Sequence, residues 1–69
     1  MRIDKLLWCL RYYKTRSIAT EAVKKGHITV NGQVAKASRE VFAMDKITLR
    51  KDQINYKLTI LDVPQNRLG

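Results

Sequence analysis

The feature that most constrains this chain is a change of hydrophobic period at Gly26. Before it, apolar residues recur at helical spacing: Ile3, Leu6, Leu7 and Leu10 fall at i, i+3, i+4 and i+7, and Ile18, Ala19, Ala22 and Val23 make a second, narrower stripe. After it the period is two. Ile28 and Val30 alternate with His27 and Thr29, Ile47 and Leu49 with Thr48 and Arg50, and Ile54, Tyr56, Leu58 and Ile60 with Asn55, Lys57 and Thr59. A helical stripe must bury against a neighbour, and an alternating strand buries one face. Two of the first followed by several of the second predict an α+β fold, with two packed N-terminal helices against a small twisted antiparallel sheet.

The punctuation between these segments agrees. Asp4 suits the start of the first helix, as a cap or a first-turn acid facing the dipole, and Tyr12-Tyr13-Lys14 reads as its exit. Thr15 or Ser17 can cap the second helix, and Lys24-Lys25-Gly26 closes it with cations in the last turn and glycine at the left-handed position. Asn31-Gly32 tolerates the positive φ angles of a type I′ turn, so Gln33-Val34-Ala35 is expected to return antiparallel beside residues 27–30. A looser stretch follows from Lys36 to Met44, and a turn near Asp52 joins a second antiparallel pair. Pro64 stops the last strand because it cannot donate to a ladder. Residues 1–64 therefore read as one domain, and Gln65 to Gly69 as a frayed tail.

Sixty-nine residues leave no room for a second core or a buried catalytic cleft of ordinary size. The single cysteine, Cys9, cannot form an internal disulfide, which fits a reducing compartment, the cytoplasm. The longest apolar run, Leu6 to Leu10, is far too short for a membrane span, and no signal peptide is expected. The net charge of +8 is high for so short a chain and calls for a polyanionic partner. It is also uneven: through Lys36 there are eight cations against two acids, and beyond it six against four. Concentration in one half suggests a face that meets phosphate, although solvation explains any single lysine.

The chemistry of catalysis is poorly supplied. One histidine, one cysteine and six scattered acids offer no nucleophile with its base and no metal shell, so neither enzyme activity, cofactor nor metal is expected. Cys9 reads as a small helix residue, Trp8 as part of the core, and Gly26 and Gly32 as turn residues rather than a phosphate loop. His27 is either a surface or backbone-bonded residue at a strand start, or a phosphate or base contact, and it stays in the candidate set. The informative cluster is Arg11-Tyr12-Tyr13-Lys14-Thr15-Arg16-Ser17, which gathers three cations, two aromatics and two hydroxyls at the corner between the helices. There the unpaired N–H groups and dipole of the second helix favour an anion, and Arg11, Lys14 and Arg16 add charge-assisted hydrogen bonds. Arginine's planar fork suits phosphate best. The competing reading is a solvated loop with tyrosines lying over the core.

Four segments in this order carry a family resemblance: Arg2-Ile3-Asp4-Lys5-Leu6-Leu7, Lys14-Thr15-Arg16-Ser17-Ile18-Ala19, Gly26-His27-Ile28-Thr29-Val30-Asn31-Gly32 and Lys36-Ala37-Ser38. Over about residues 2–50 the chain resembles the alpha-L RNA-binding domain named after ribosomal small-subunit protein S-four. The run from Leu7 to Arg16 looks closest to the stand-alone bacterial heat-shock S-four proteins, which bind the large ribosomal subunit carrying a stalled nascent chain on tRNA. The resemblance implies rRNA or tRNA binding in translation quality control, by an RNA-binding surface of Arg2, Lys5, Arg11, Lys14, Thr15, Arg16, Ser17, Asn31, Gln33 and Lys36, flanked by Lys25 and His27. Two departures stand out. Met44-Asp45 replaces the usual Gly-Asp, which leaves the turn type there open, and the chain stops at Gly69 where heat-shock relatives continue into a basic tail, so truncation is expected. The alternative reading is an accessory RNA-binding domain of an RNA-modifying or tRNA-charging enzyme; Met1 directly before the motif favours the stand-alone one. A helix-turn-helix DNA binder is a third class, disfavoured because the second helix has few long polar residues on one face. A monomer is expected.

Overall fold

A computed structural model describes residues 1–64, so the expected tail at 65–69 lies outside the described residues. The first helix, α1, runs Ile3–Cys9 and the second, α2, Arg16–Lys24. Four strands follow: β1 (Ile28–Val30), β2 (Gln33–Val34), β3 (Lys46–Lys51) and β4 (Ile54–Thr59). They form one sheet in the order β2-β1-β3-β4, every neighbouring pair antiparallel. The α+β expectation holds.

Both helices end in the same way. After α1, the Arg11 N–H donates to the Trp8 carbonyl (3.0 Å) and the Tyr12 N–H to the Leu7 carbonyl (3.1 Å), with Arg11 left-handed at φ 67°. After α2, the Gly26 N–H donates to Val23 (3.0 Å) and the His27 N–H to Ala22 (3.2 Å), with Gly26 at φ 81°. These are Schellman ends, which satisfy carbonyls a helix would otherwise leave open. Glycine adopts that conformation without strain, whereas arginine pays a steric cost of about 1–2 kcal/mol. Leu10, the last residue of the first stripe, is therefore the C-cap, and the helix ends one residue short of that stripe.

The first hairpin follows the sequence closely. Asn31 (φ 52°) and Gly32 (φ 85°) form the two-residue turn, pairing Val30 with Gln33 and Thr29 with Val34. Asp52 (φ 54°) and Gln53 (φ 64°) do the same between β3 and β4 without any glycine. The looser stretch is fastened to the N-terminus: the Ile3 N–H donates to the Arg39 carbonyl (2.8 Å), the Val41 N–H to the Met1 carbonyl (2.9 Å), and the Met1 ammonium pairs with Glu40 (2.9 Å). Met44 is left-handed at φ 75°, which explains why glycine suits this position.

The helices cover one face of the sheet. Ile3, Leu6, Leu7, Ala19 and Val23 pack on Ile28, Val30, Val41, Ile47, Leu49 and Ile60, and Trp8 lies half-buried against them, as expected of a core residue. Cys9 is fully buried. The opposite sheet face is left to solvent.

Candidate nucleic-acid interface

The corner between the helices is organised by a residue that its place in the sequence does not single out. Asp4, in the first turn of α1, is only 1% exposed, yet it caps nothing at Arg2, the residue preceding the helix. Its Oδ1 accepts the Lys5 N–H (2.8 Å), and its Oδ2 accepts Arg2 Nη2 (3.1 Å) and the Thr20 hydroxyl (3.0 Å). Arg16 Nη2 stands 3.7 Å from Oδ1. One buried carboxylate thus ties the start of α1 to the first two turns of α2 and draws two guanidinium groups toward itself. The sequence suggests only a cap or a helix-dipole role for this acid, because nothing in linear spacing joins residues 2, 4, 16 and 20.

The arginines are not used up by this contact. Both side chains are 44% exposed, and each guanidinium carries five N–H donors. Arg2 spends one more on the Ala37 carbonyl (3.3 Å), and the others face solvent. Two cations against one acid leave a net positive charge at an exposed corner, with Arg2 oriented by hydrogen bonds and Arg16 drawn in by the longer ion pair. That is what a phosphate needs: forked donors whose geometry is set before the ligand arrives.

Other predicted residues fall around this pair. Thr15 is the cap of α2, its Oγ1 accepting the Ile18 N–H at 3.1 Å, so its hydroxyl has a structural duty and Ser17 does not cap. Arg11, Lys14 and Ser17 are exposed and Lys5 is half-buried. Lys36 is exposed in a turn closed by the Arg39 N–H, one residue before the Ala37 carbonyl that Arg2 grips. Gln33 is exposed on the hairpin. Asn31 is engaged: its Oδ1 accepts the Lys46 N–H (2.9 Å) and its Nδ2 donates to Asp45 Oδ1 (3.1 Å), locking the hairpin tip to β3. Asp45 also accepts the Phe42 N–H (2.9 Å), and this bond first, then the Asn31 amide, holds its carboxyl below the usual range.

A second group gathers away from Asp4. Ser17, Lys25 and His27 line a cleft of about 650 Å³ between α2 and the β3–β4 turn, together with Arg50 and Lys51. Arg50 and Lys51 escaped the sequence reading because they belong to a distant strand. The Lys51 ammonium lies 5.5 Å from the centre of the Tyr13 ring, a cation–π distance. Tyr13 itself is buried, its hydroxyl without a hydrogen-bond partner among the described residues; burial first, then Asp52, pushes its pKa up. Tyr12 meets Tyr56 edge to face at 5.5 Å. Among the described residues no three potential metal ligands cluster, and no helix is long and apolar enough to cross a membrane.

With the geometry in place, comparison with known proteins is informative. Residues 1–47 match the model of the S4 domain. The chain is 36% identical to the heat shock protein 15 homolog of Haemophilus influenzae over its whole length, covering 53% of that protein. It is 42% identical to the RQC P-site tRNA stabilizing factor of Helicobacter pylori, over 93% of this chain and 76% of the other. A trimeric structure of Vibrio cholerae heat shock protein 15 superposes with a TM-score of 0.94 at 40% identity, covering all of this chain and 70% of that one. The chain spans about half the length of the heat-shock relatives it matches. By sequence and fold, the chain belongs to the S4 domain family.

Proposed function

We propose that this chain is a non-catalytic RNA-binding domain that grips the phosphate backbone of structured RNA at the Asp4 corner. The observation that carries this reading is the pair Arg2 and Arg16, fixed on one buried carboxylate and half open to solvent. Arg11, Lys14 and Lys36 add charge around it, the hairpin at Asn31-Gly32 and Gln33 forms a second wall, and Lys5, Thr15, Ser17, Lys25 and His27 complete the contact set. Membership of the S4 family supports an RNA ligand. The name of the Helicobacter pylori relative supports a narrower ligand, P-site tRNA; ribosomal RNA of the large subunit during rescue of stalled translation, a cytoplasmic location and a monomeric state complete this reading.

Crosslinking the protein to RNA in cells and sequencing the attached fragments tests this. Enrichment of large-subunit ribosomal RNA and tRNA is the expected result. Messenger RNA alone, or equal affinity for duplex DNA in a competition titration, overturns it.

A further inference from the structure

The sheet ends in two edges of unequal length. β2 presents 2 residues, whereas β4 presents 6, paired with β3 in one unbroken register without bulge or proline. Short strands, bulges and proline are ordinary guards of an open edge, and β4 has none of them. The ladder also fixes which backbone groups of β4 stay open. The Arg50 N–H donates to the His27 carbonyl (2.9 Å) and the Lys46 carbonyl accepts the Asn31 N–H (2.7 Å), so both residues turn their backbone groups toward β1. Their partners on β4, Asn55 and Thr59, therefore turn theirs away from β3, and Lys57 between them does the same. Among the described residues nothing bonds to these outward N–H and C=O groups.

The two faces of this edge differ in chemistry. Ile54, Tyr56 and Leu58 share the core face with Leu49 and Ile47, but the helices stop short of covering them: Tyr56 and Leu58 are half-buried and Ile54 is 52% exposed. Beside them a groove of about 510 Å³ lies between β4 and the end of α1, lined by Leu6, Leu10, Tyr12, Leu58 and Leu61. On the other face Lys57 sits mid-strand, exposed and without an ion pair among the described residues. An occupant must therefore donate and accept along one line, with apolar groups on one side and negative charge on the other. An extended peptide meets all of these demands. RNA does not, because phosphate oxygens only accept, which leaves the carbonyls of Asn55, Lys57 and Thr59 without donors and brings charge to an apolar groove. Nor does a second β4, which carries Lys57 and no acid, on a chain whose net charge of +8 repels its copy.

We propose that the open edge of β4 binds an extended acidic segment of a partner protein by strand addition. The added strand places an acid opposite Lys57 on the solvent face and apolar side chains toward the groove, so the partner sequence alternates the two. Lys57 acts as the selector: it disfavours a basic strand and favours an acidic one. The edge shares no residue with the RNA contact set, and the inference stands apart from the RNA reading.

Amide exchange tests this residue by residue. The full chain, isotopically labelled, is mixed with a capped peptide of about seven residues that alternates valine and glutamate, and exchange is followed by NMR. At saturating peptide the Asn55, Lys57 and Thr59 amides are expected to exchange at least about tenfold more slowly than in the free protein. The Tyr56 and Leu58 amides, already bonded to β3, change little. A peptide with lysine in place of glutamate is expected to bind the wild type about three- to tenfold more weakly, and Lys57→Glu reverses that preference. Lys57 is exposed, and the two peptides on the wild type answer the question even if the variant fails to fold. No protection at millimolar peptide, or equal binding by a peptide N-methylated at every second residue, overturns strand addition. Equal affinity of the wild type for the two peptides overturns the acidic preference. Protection of the same amides by an RNA hairpin, or by raising the protein concentration alone, assigns the edge to RNA or to a second copy and overturns the proposal.

Discussion

Asp4→Asn separates orientation from charge at the corner. The substitution keeps the shape of the side chain, and its remaining oxygen can still accept the Lys5 N–H. The new amide, however, presents donors to Arg2 Nη2 and the Thr20 hydroxyl. Thr20 retains the Arg16 carbonyl at 3.0 Å, and both arginines reach water, so the full 3–5 kcal/mol typical of breaking a buried pair does not apply. A stability loss of about 2 kcal/mol is expected, a fall in Tm of about 8–16 °C for a domain this size. The effect on RNA is more discriminating. Charge counting says that removing an acid tightens binding, by about 0.5 kcal/mol for one phosphate roughly 7 Å away after salt screening. Releasing two held arginines costs about 1–3 kcal/mol on binding, because each must be ordered again. Orientation outweighs charge by about 0.5–2.5 kcal/mol, and affinity for a ribosomal RNA hairpin is expected to fall about 2- to 70-fold. Fluorescence anisotropy well below the variant's Tm measures this. Equal or tighter binding by Asp4→Asn would refute the reasoning.

Three further expectations concern the fold. Tyr13→Phe removes a buried hydroxyl without a partner and stabilises by about 1 kcal/mol in chemical denaturation. Because the folded phenol titrates above its ordinary 10.0, its neutral form supports the fold below about pH 10 and that support is lost as pH rises through the folded value, so the variant's advantage widens there. Met44→Gly relieves the left-handed strain at φ 75° against a greater entropy loss, for a net gain of about 0.5 kcal/mol with RNA binding unchanged. Asp45 has a lowered folded pKa, so its contribution is present above the ordinary carboxylate value of 3.8 and is lost as pH falls through the folded value; Asp45→Asn flattens that acid limb of a Tm-against-pH curve.

Much of the fold was legible because it is written locally. The period change at Gly26, the Asn31-Gly32 turn and the Lys24-Lys25-Gly26 helix end each appear in the structure where the sequence put them. Local signals failed where the conformation and the residue disagree: Arg11, Asp52 and Gln53 adopt left-handed angles without glycine, so neither the early end of α1 nor the type of the second turn was marked. Tertiary pairings were also hidden. The joining of β1 to β3, and of residues 39–41 to the N-terminus, depends on contacts across long stretches of chain. The corner was legible as charge, from Arg11 to Arg16, but its organiser was not. Asp4 looks like any first-turn acid until α2 is laid against α1.

Salt dependence tests the central claim most directly. If the corner holds RNA phosphates, log affinity for a large-subunit ribosomal RNA hairpin falls against log salt with a slope of roughly −3 to −6, from about four to seven neutralised phosphates. In Arg2→Gln/Arg16→Gln the slope is expected to be shallower by about 2. A salt-independent affinity, or a slope that the double substitution leaves unchanged, would contradict the account.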